Sequence, residues 1–199
     1  MEYSTADKIM ETAIPLFAKK GYVAVSIREV ADAVQINSSA ISYYFKSKEG
    51  LYQAALEANF SPVDKLLKSV ETMNDLNAIE LLTIYAQNIV KLHRKHPFLA
   101  RFVNSELANP TPCGEKIIKK YISQLYQFVH SSLCKGVAAG DFAPDLNLSY
   151  AAVSLAGILN FYFLTTPVIK EFIVFSECSD EEYISQAIRI YLNGISIKK

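Results

Sequence analysis

Charge of one sign is what this chain lacks most plainly, since 20 Lys and Arg are balanced by 20 Asp and Glu in 199 residues. A protein that finds nucleic acid or an anionic membrane by bulk attraction needs a cationic excess, so any contact with phosphate here must be local. Cysteine is scarce. Cys113, Cys134 and Cys178 are odd in number, widely spaced and without a C-x-x-C pair, which excludes a disulfide framework and a zinc set and fits reduced cytoplasmic thiols. The 7 glycines build no G-x-S-x-G, no G-x-x-x-x-G-K and no dinucleotide fingerprint, and the 3 histidines form no H-E-x-x-H. The parts of the common enzyme chemistries are therefore missing, and no cofactor is expected. Residues 1–7 place acid where a signal peptide has base and offer no apolar run, so export by that route is not expected.

What is present is apolar: 51% of residues are hydrophobic and 12% aromatic, with no Pro/Gly/Ser-rich stretch, enough to bury a core in one or two globular domains. Periodicities are helical throughout, and no segment alternates as a strand does. The first helix takes Ser4 or Thr5 as N-cap and Asp7 in its first turn, and turns Ile9, Ala13, Leu16 and Phe17 to one face. Gly21 ends it as a left-handed cap, and Pro15 inside it predicts a kink or a shorter helix. Ser26 caps a second helix, Ile27 to about Val34, with Ile27, Val30, Ala31 and Val34 inward; after Gln35 and Ile36, Asn37 or Ser38 caps a third through Phe45; Ser47 caps a fourth from Lys48. Two short helices joined by a tight turn and braced by a longer one make a helix-turn-helix, whose second helix can enter a major groove.

Longer helices follow. The fourth continues past Pro62, taken as a kink or break; a fifth spans about 78–94; a sixth begins after Pro97; a seventh runs from Ile117 to Val137 and stops at Gly140. No charged residue occurs between Leu146 and Ile169, long enough for a membrane span, yet six polar residues are spread through it and Pro167 closes it. A helix buried on nearly all sides of a soluble protein fits better. With a last helix from Asp180 to about Ser196 it forms an apolar pair that needs a cover, and the simplest cover is the same pair from a second subunit, giving a twofold homodimer and no membrane partner.

The runs Ala18-Lys19-Lys20-Gly21-Tyr22, Ser26-Ile27-Arg28-Glu29-Val30-Ala31 and Ile41-Ser42-Tyr43-Tyr44-Phe45-Lys46-Ser47-Lys48-Glu49-Gly50-Leu51 resemble the DNA-binding domain of the TetR family of bacterial transcription regulators. The resemblance covers about a quarter of the chain, and the Phe-Lys-Ser-Lys-Glu-Gly-Leu run is its most specific part. It implies an all-α protein of about nine helices, with a helix-turn-helix DNA-binding domain at 1–47 and a helical effector-binding and dimerisation domain at 48–199. It also implies a cytoplasmic regulator, a repressor by expectation, that binds a palindromic double-stranded operator as a homodimer. Gln35 stands where the family usually has glycine, so a left-handed backbone there costs about 1 kcal/mol more. Ser42 and Tyr44 replace a usual Tyr and His, which alters sequence preference.

The DNA-contacting residues expected on this basis are Ser26, Arg28, Ser38, Ser39, Ala40, Ser42, Tyr43, Tyr44 and Lys48. Ser26 and Lys48 stand at helix starts, where free N–H groups and a hydroxyl or ammonium hold phosphate. Ser38, Ser39, Ala40 and Ser42 give the third helix a small polar leading face, with Ala40 sized for a thymine methyl. Tyr43 is either a core aromatic or a phosphate donor, Tyr44 a phosphate contact, and Ile41 and Phe45 are core. Residues 1–60 hold six basic against seven acidic side chains, so the basic groups must share one edge with the acids behind.

The resemblance further implies a small apolar or aromatic effector bound among helices four to eight, its arrival shifting the fourth helix and the separation of the two heads. Asn88, His130 and Asn160, polar on apolar helices, with Phe102, Tyr126 and Tyr162 as walls, are the pocket candidates. His93 and His96, spaced i, i+3, lack a carboxylate or cysteine to complete a metal set, so no metal is expected. A helical dimer binding lipid or protein without DNA, or an enzyme of unfamiliar type, is the alternative.

Overall fold

The computed structural model describes residues 4–71, 75–172 and 179–197, and among them the fold is all helical. The helices are α1 (Thr5–Ala24), α2 (Ile27–Val34), α3 (Ser38–Phe45), α4 (Lys48–Phe60), α5 (Pro62–Glu71), α6 (Ala78–Lys95), α7 (Leu99–Ala108), α8 (Pro112–Ala139), α9 (Leu148–Ile169) and α10 (Ser179–Ile195). The break at Pro62 separates α4 from α5. Cys178 lies outside the described residues.

The chain divides into two compact units, Met1–Pro62 with His96–Lys120, and Val63–Lys95 with Tyr121–Lys199. In the first, α1 opens on a capping box in which the Ser4 hydroxyl accepts from the Asp7 amide and Asp7 accepts from the Ser4 amide. Ile9, Ala13 and Phe17 are buried at the spacing the sequence showed. Pro15 sits within α1, and the only non-helical dihedrals inside that helix are those of Gly21, φ 79°, ψ 165°. This is not the left-handed cap expected there but an extended backbone of positive φ that glycine alone adopts readily, and one more turn follows it. Val25, Val30, Ala31, Ile41, Leu51, Tyr52, Leu56 and Phe102 complete the core of this unit.

The second unit packs α6 against α9 and α10 around Leu82, Tyr85, Ile89, Leu133, Phe142, Leu155, Leu159, Ile184 and Ile188, each fully buried side chain contributing about 1.5–3 kcal/mol. Gly140, at φ 79°, ends α8 where the sequence placed its stop. Three residues on, the chain pairs with the end of α10, Ala143 donating to the Ile195 carbonyl at 3.0 Å. Helix α9 departs from expectation. Only 28% of its most apolar stretch is buried, and Tyr150, Val153, Phe161 and Val168 project into solvent, as does Ile190 of α10. An uncharged sequence cannot separate a helix enclosed by its own chain from one with a single inward face; α9 is of the second kind, and it runs two residues beyond Pro167.

Candidate nucleic-acid interface

Each helix of the N-terminal motif begins on a side-chain cap. The Ser26 hydroxyl accepts from the Glu29 amide at 3.1 Å and starts α2; the Asn37 carboxamide accepts from the Ser39 amide at 2.9 Å and starts α3, which settles the choice between Asn37 and Ser38; Ser47 accepts from the Gly50 amide at 3.1 Å and starts α4. Between α2 and α3 the chain reverses at Gln35, φ 59°, ψ 45°. Ile36 donates to the Ala31 carbonyl at 3.0 Å and Gln35 to that of Asp32 at 3.1 Å, a Schellman closure in which the left-handed residue is glutamine.

The turn from α3 to α4 is tighter. Lys46 has φ 71°, ψ −49°, and Ser47 donates across it to the Phe45 carbonyl at 2.8 Å, a three-residue turn of the strained hand. The Phe45 oxygen is thereby driven against the backbone of Gly50, where any Cβ would collide with it. The Phe-Lys-Ser-Lys-Glu-Gly-Leu run thus has a physical content: a strained lysine, a serine cap, a glycine without room for a side chain, and Leu51 fully buried.

The result is a short helix held by its inner edge and bare along its outer one. In α3 only Ile41 is fully buried; Phe45, expected in the core, is half-buried, as are Ser38 and Ala40. Ser39 and Ser42 are exposed, and Tyr43 and Tyr44, 75% and 45% exposed, meet edge to face at 5.1 Å. Tyr43 is therefore no core aromatic. Arg28 and Lys46 are exposed and pair with no acid among the described residues, whereas Lys20 is bonded to Glu29 and holds that carboxyl below its ordinary value. Lys48 is half-buried. Its ammonium donates to the Val23 carbonyl at 3.1 Å and stands 4.5 Å from the centre of the Tyr22 ring.

The six pocket candidates fall in both units. Phe102 is buried in the first unit, 6.1 Å from Tyr52, while the other five belong to the second. There the polar groups find protein partners: Asn88 donates to the Ile84 carbonyl, Asn160 bonds His93 at 3.1 Å, Tyr162 donates to Asp180 at 2.8 Å, and Tyr126 donates to Ser149 at 2.9 Å. His130 lies 3.6 Å from Cys134 Sγ. His93 is buried and stacked on Phe163 at 4.1 Å, and burial pushes its imidazole below the ordinary value. His96 belongs to the other unit, and the described residues hold no metal-binding group of three or more His, Cys, Asp or Glu. Sequence reading passed over Gln124 of α8, whose Oε1 is buried with no hydrogen-bond partner; a glutamine among aromatics at helical spacing gives no local sign of this.

Residues 9–55, which hold α2, α3, their two turns and the start of α4, match the family described as bacterial regulatory proteins, tetR family. This N-terminal stretch is thus similar to the DNA-binding domain of that family. Along most of its length the chain is also similar to the probable HTH-type transcriptional regulator YttP of Bacillus subtilis, at 27% identity over 86% of this chain and 83% of that protein. It is 31% identical to the biofilm operon icaADBC HTH-type negative transcriptional regulator IcaR of Staphylococcus aureus, over 31% of this chain and 33% of that one. The fold is similar to that of AibR, solved in complex with isovaleryl coenzyme A and operator DNA, with a TM-score of 0.75 at 16% identity, over 94% of this chain and 97% of that one. YttP and IcaR are both described as HTH-type transcriptional regulators.

Proposed function

We propose that the protein is a ligand-responsive repressor that reads a palindromic operator as a homodimer in the cytoplasm. The observation that carries this reading is α3, exposed along one edge with side chains small enough to meet base edges and framed by the capped starts of α2 and α4. Residues 1–47 form the reading domain. Ser38, Ser39, Ala40 and Ser42 face the bases; Ser26, Tyr43, Tyr44 and Lys48 hold phosphates, and Arg28 reaches a base or a phosphate. The rest of the chain, 48–199, takes up the effector and a second copy. Repression is supported by the similarity to IcaR, a negative regulator, and a response to an effector by the similarity in fold to AibR, which binds isovaleryl coenzyme A and operator DNA.

The apolar face that α9 and α10 leave bare, with Tyr150, Val153, Phe161, Val168 and Ile190 outward, supports dimerisation through these two helices. A small apolar or aromatic effector fits the second unit, where Asn88, Tyr126, His130, Asn160 and Tyr162 interrupt apolar helices and the unsatisfied Gln124 oxygen accepts a hydrogen bond from it. The test is a selection of genomic fragments on the purified protein, followed by a salt titration on the enriched sequence. An enriched palindrome with a steep salt slope supports the reading; a stable dimer that enriches nothing and binds no duplex overturns it. Phe161→Glu in α9 is expected to yield monomers by sedimentation.

A further inference from the structure

Behind the reading surface the first unit buries a carboxylate. Glu106 of α7, 3% exposed, accepts from the Tyr52 hydroxyl of α4 at 2.5 Å, from the Thr111 amide at 2.9 Å and from the Thr111 hydroxyl at 3.0 Å. The Thr111 oxygen in turn accepts from the Gly114 amide at 3.1 Å, so it caps the first turn of α8. Gly114 is glycine for a reason of space: a Cβ there would lie inside the Glu106 carboxylate. The acid is thus held by hydroxyl and amide donors at the positive end of a helix. A buried acid fixed this way resists displacement, because moving it strands a polar group away from both water and its donors.

Tyr52 carries this constraint outward. Its ring, 1% exposed, packs 4.9 Å from Phe17 and 4.9 Å from Tyr22, and the Tyr22 ring is the one beneath the Lys48 ammonium. Thr111, Glu106, Tyr52, Tyr22 and Lys48 therefore form an unbroken line of contacts from the first turn of α8 to the first residue of α4. The exposed cations Arg28 and Lys46 have no such cradle.

We propose that Glu106 and Tyr52 are positioning residues for DNA binding. Through Tyr22 they fix where the Lys48 ammonium stands before a phosphate arrives, so that its side-chain freedom is already spent. This rests on the reading of Lys48 as a phosphate contact. It also makes the first turn of α8 a place from which affinity for DNA is set without any contact to DNA.

The test uses the full chain and a random-sequence duplex a few helical turns long, bound in a salt titration followed by fluorescence anisotropy. The variants are Tyr52→Phe, which removes the hydroxyl alone, Glu106→Gln, which keeps an acceptor of the same shape, Lys48→Ala, and the two doubles with Lys48→Ala; melting and circular dichroism establish the folded fraction of each. Tyr52→Phe and Glu106→Gln should each weaken binding roughly two- to tenfold, the range for a long side chain that must be immobilised on binding. Both losses should vanish in the Lys48→Ala background, which loss of folding would not produce. Equal losses in both backgrounds, or tight binding by Tyr52→Phe and Glu106→Gln where Lys48→Ala alone is weak, overturn the positioning role. A Lys48→Ala variant with unchanged affinity and salt slope overturns the phosphate contact itself, and the positioning role with it.

Discussion

Exchanging Gln35 for glycine should stabilise the N-terminal unit, against the usual sign of a Gln→Gly substitution. At φ 59°, ψ 45° a residue with a Cβ carries about 1–2 kcal/mol of strain that glycine does not. Glycine gives back roughly 0.5–1 kcal/mol through the greater freedom it loses on folding. The side chain is exposed, and the two bonds that close the turn, from the amides of Gln35 and Ile36, are made by backbone, so nothing else is lost. The net gain lies between about 0 and 1.5 kcal/mol and centres on ~0.75 kcal/mol, which moves the midpoint of a unit this size by ~3–6 °C. Gln53→Gly is the control: Gln53 is exposed within α4, and the same exchange there should cost about 1 kcal/mol. Thermal melts give the overall change, and hydrogen exchange at the buried amides of Val30, Ala31 and Ile41 assigns it to this unit. Destabilisation by Gln35→Gly, or equal stabilisation by Gln35→Ala, which cannot relieve the left-handed strain, would refute the reasoning.

Gly50→Ala should cost about 1–3 kcal/mol, because the atom it meets is the Phe45 carbonyl oxygen, already fixed by its bond from Ser47; chemical denaturation of the variant measures this, and a loss below a few tenths of a kcal/mol would contradict the close approach. Lys48→Ala should weaken binding to every duplex and lower the salt slope by about one, whereas Ser39→Ala and Ser42→Ala should alter preference among duplexes, as competition titrations will show. Acid should weaken the second unit through His93. Burial against Phe163 lowers its folded pKa, with the Asn160 bond and the Asp180 charge opposing, while the unfolded imidazole titrates near ~6.5. The unfolded chain therefore takes up the proton first, so the stability is intact above about pH 6.5 and declines as the pH falls below it. His93→Leu should flatten the dependence of the melting temperature on pH in that window; an unchanged slope would assign the decline to other groups.

Local chemistry was legible residue by residue. Ser26 and Ser47 cap the helices they were expected to cap, and Gln35 adopts the left-handed backbone that its place between two short helices requires. These features are encoded within four residues of where they act. The sequence was silent where the partner is far along the chain. Glu106 and Tyr52 are 54 residues apart, and His93 and Asn160 are 67 apart, so neither the buried acid nor the satisfied amide shows in any window. Lys48 at a helix start reads as an ammonium offered to solvent, because the ring that receives it belongs to the end of α1. Phe102 reads as one more apolar residue among aromatics, and nothing in its neighbourhood assigns it to the first unit. For α9, hydrophobicity measures the need for a cover without saying which surface supplies it.

The way α3 is anchored bears on how such a protein acquires new targets. One fully buried side chain, Ile41, ties this helix to the core, and its cap and both of its turns depend on residues outside the exposed edge: Asn37, Gln35, Lys46 and Gly50. Ser39, Ser42 and Tyr43 can therefore be exchanged for larger, smaller or charged residues with little effect on folding, since nothing in the interior registers the change. Operator preference can drift through single substitutions, each intermediate remaining a stable protein.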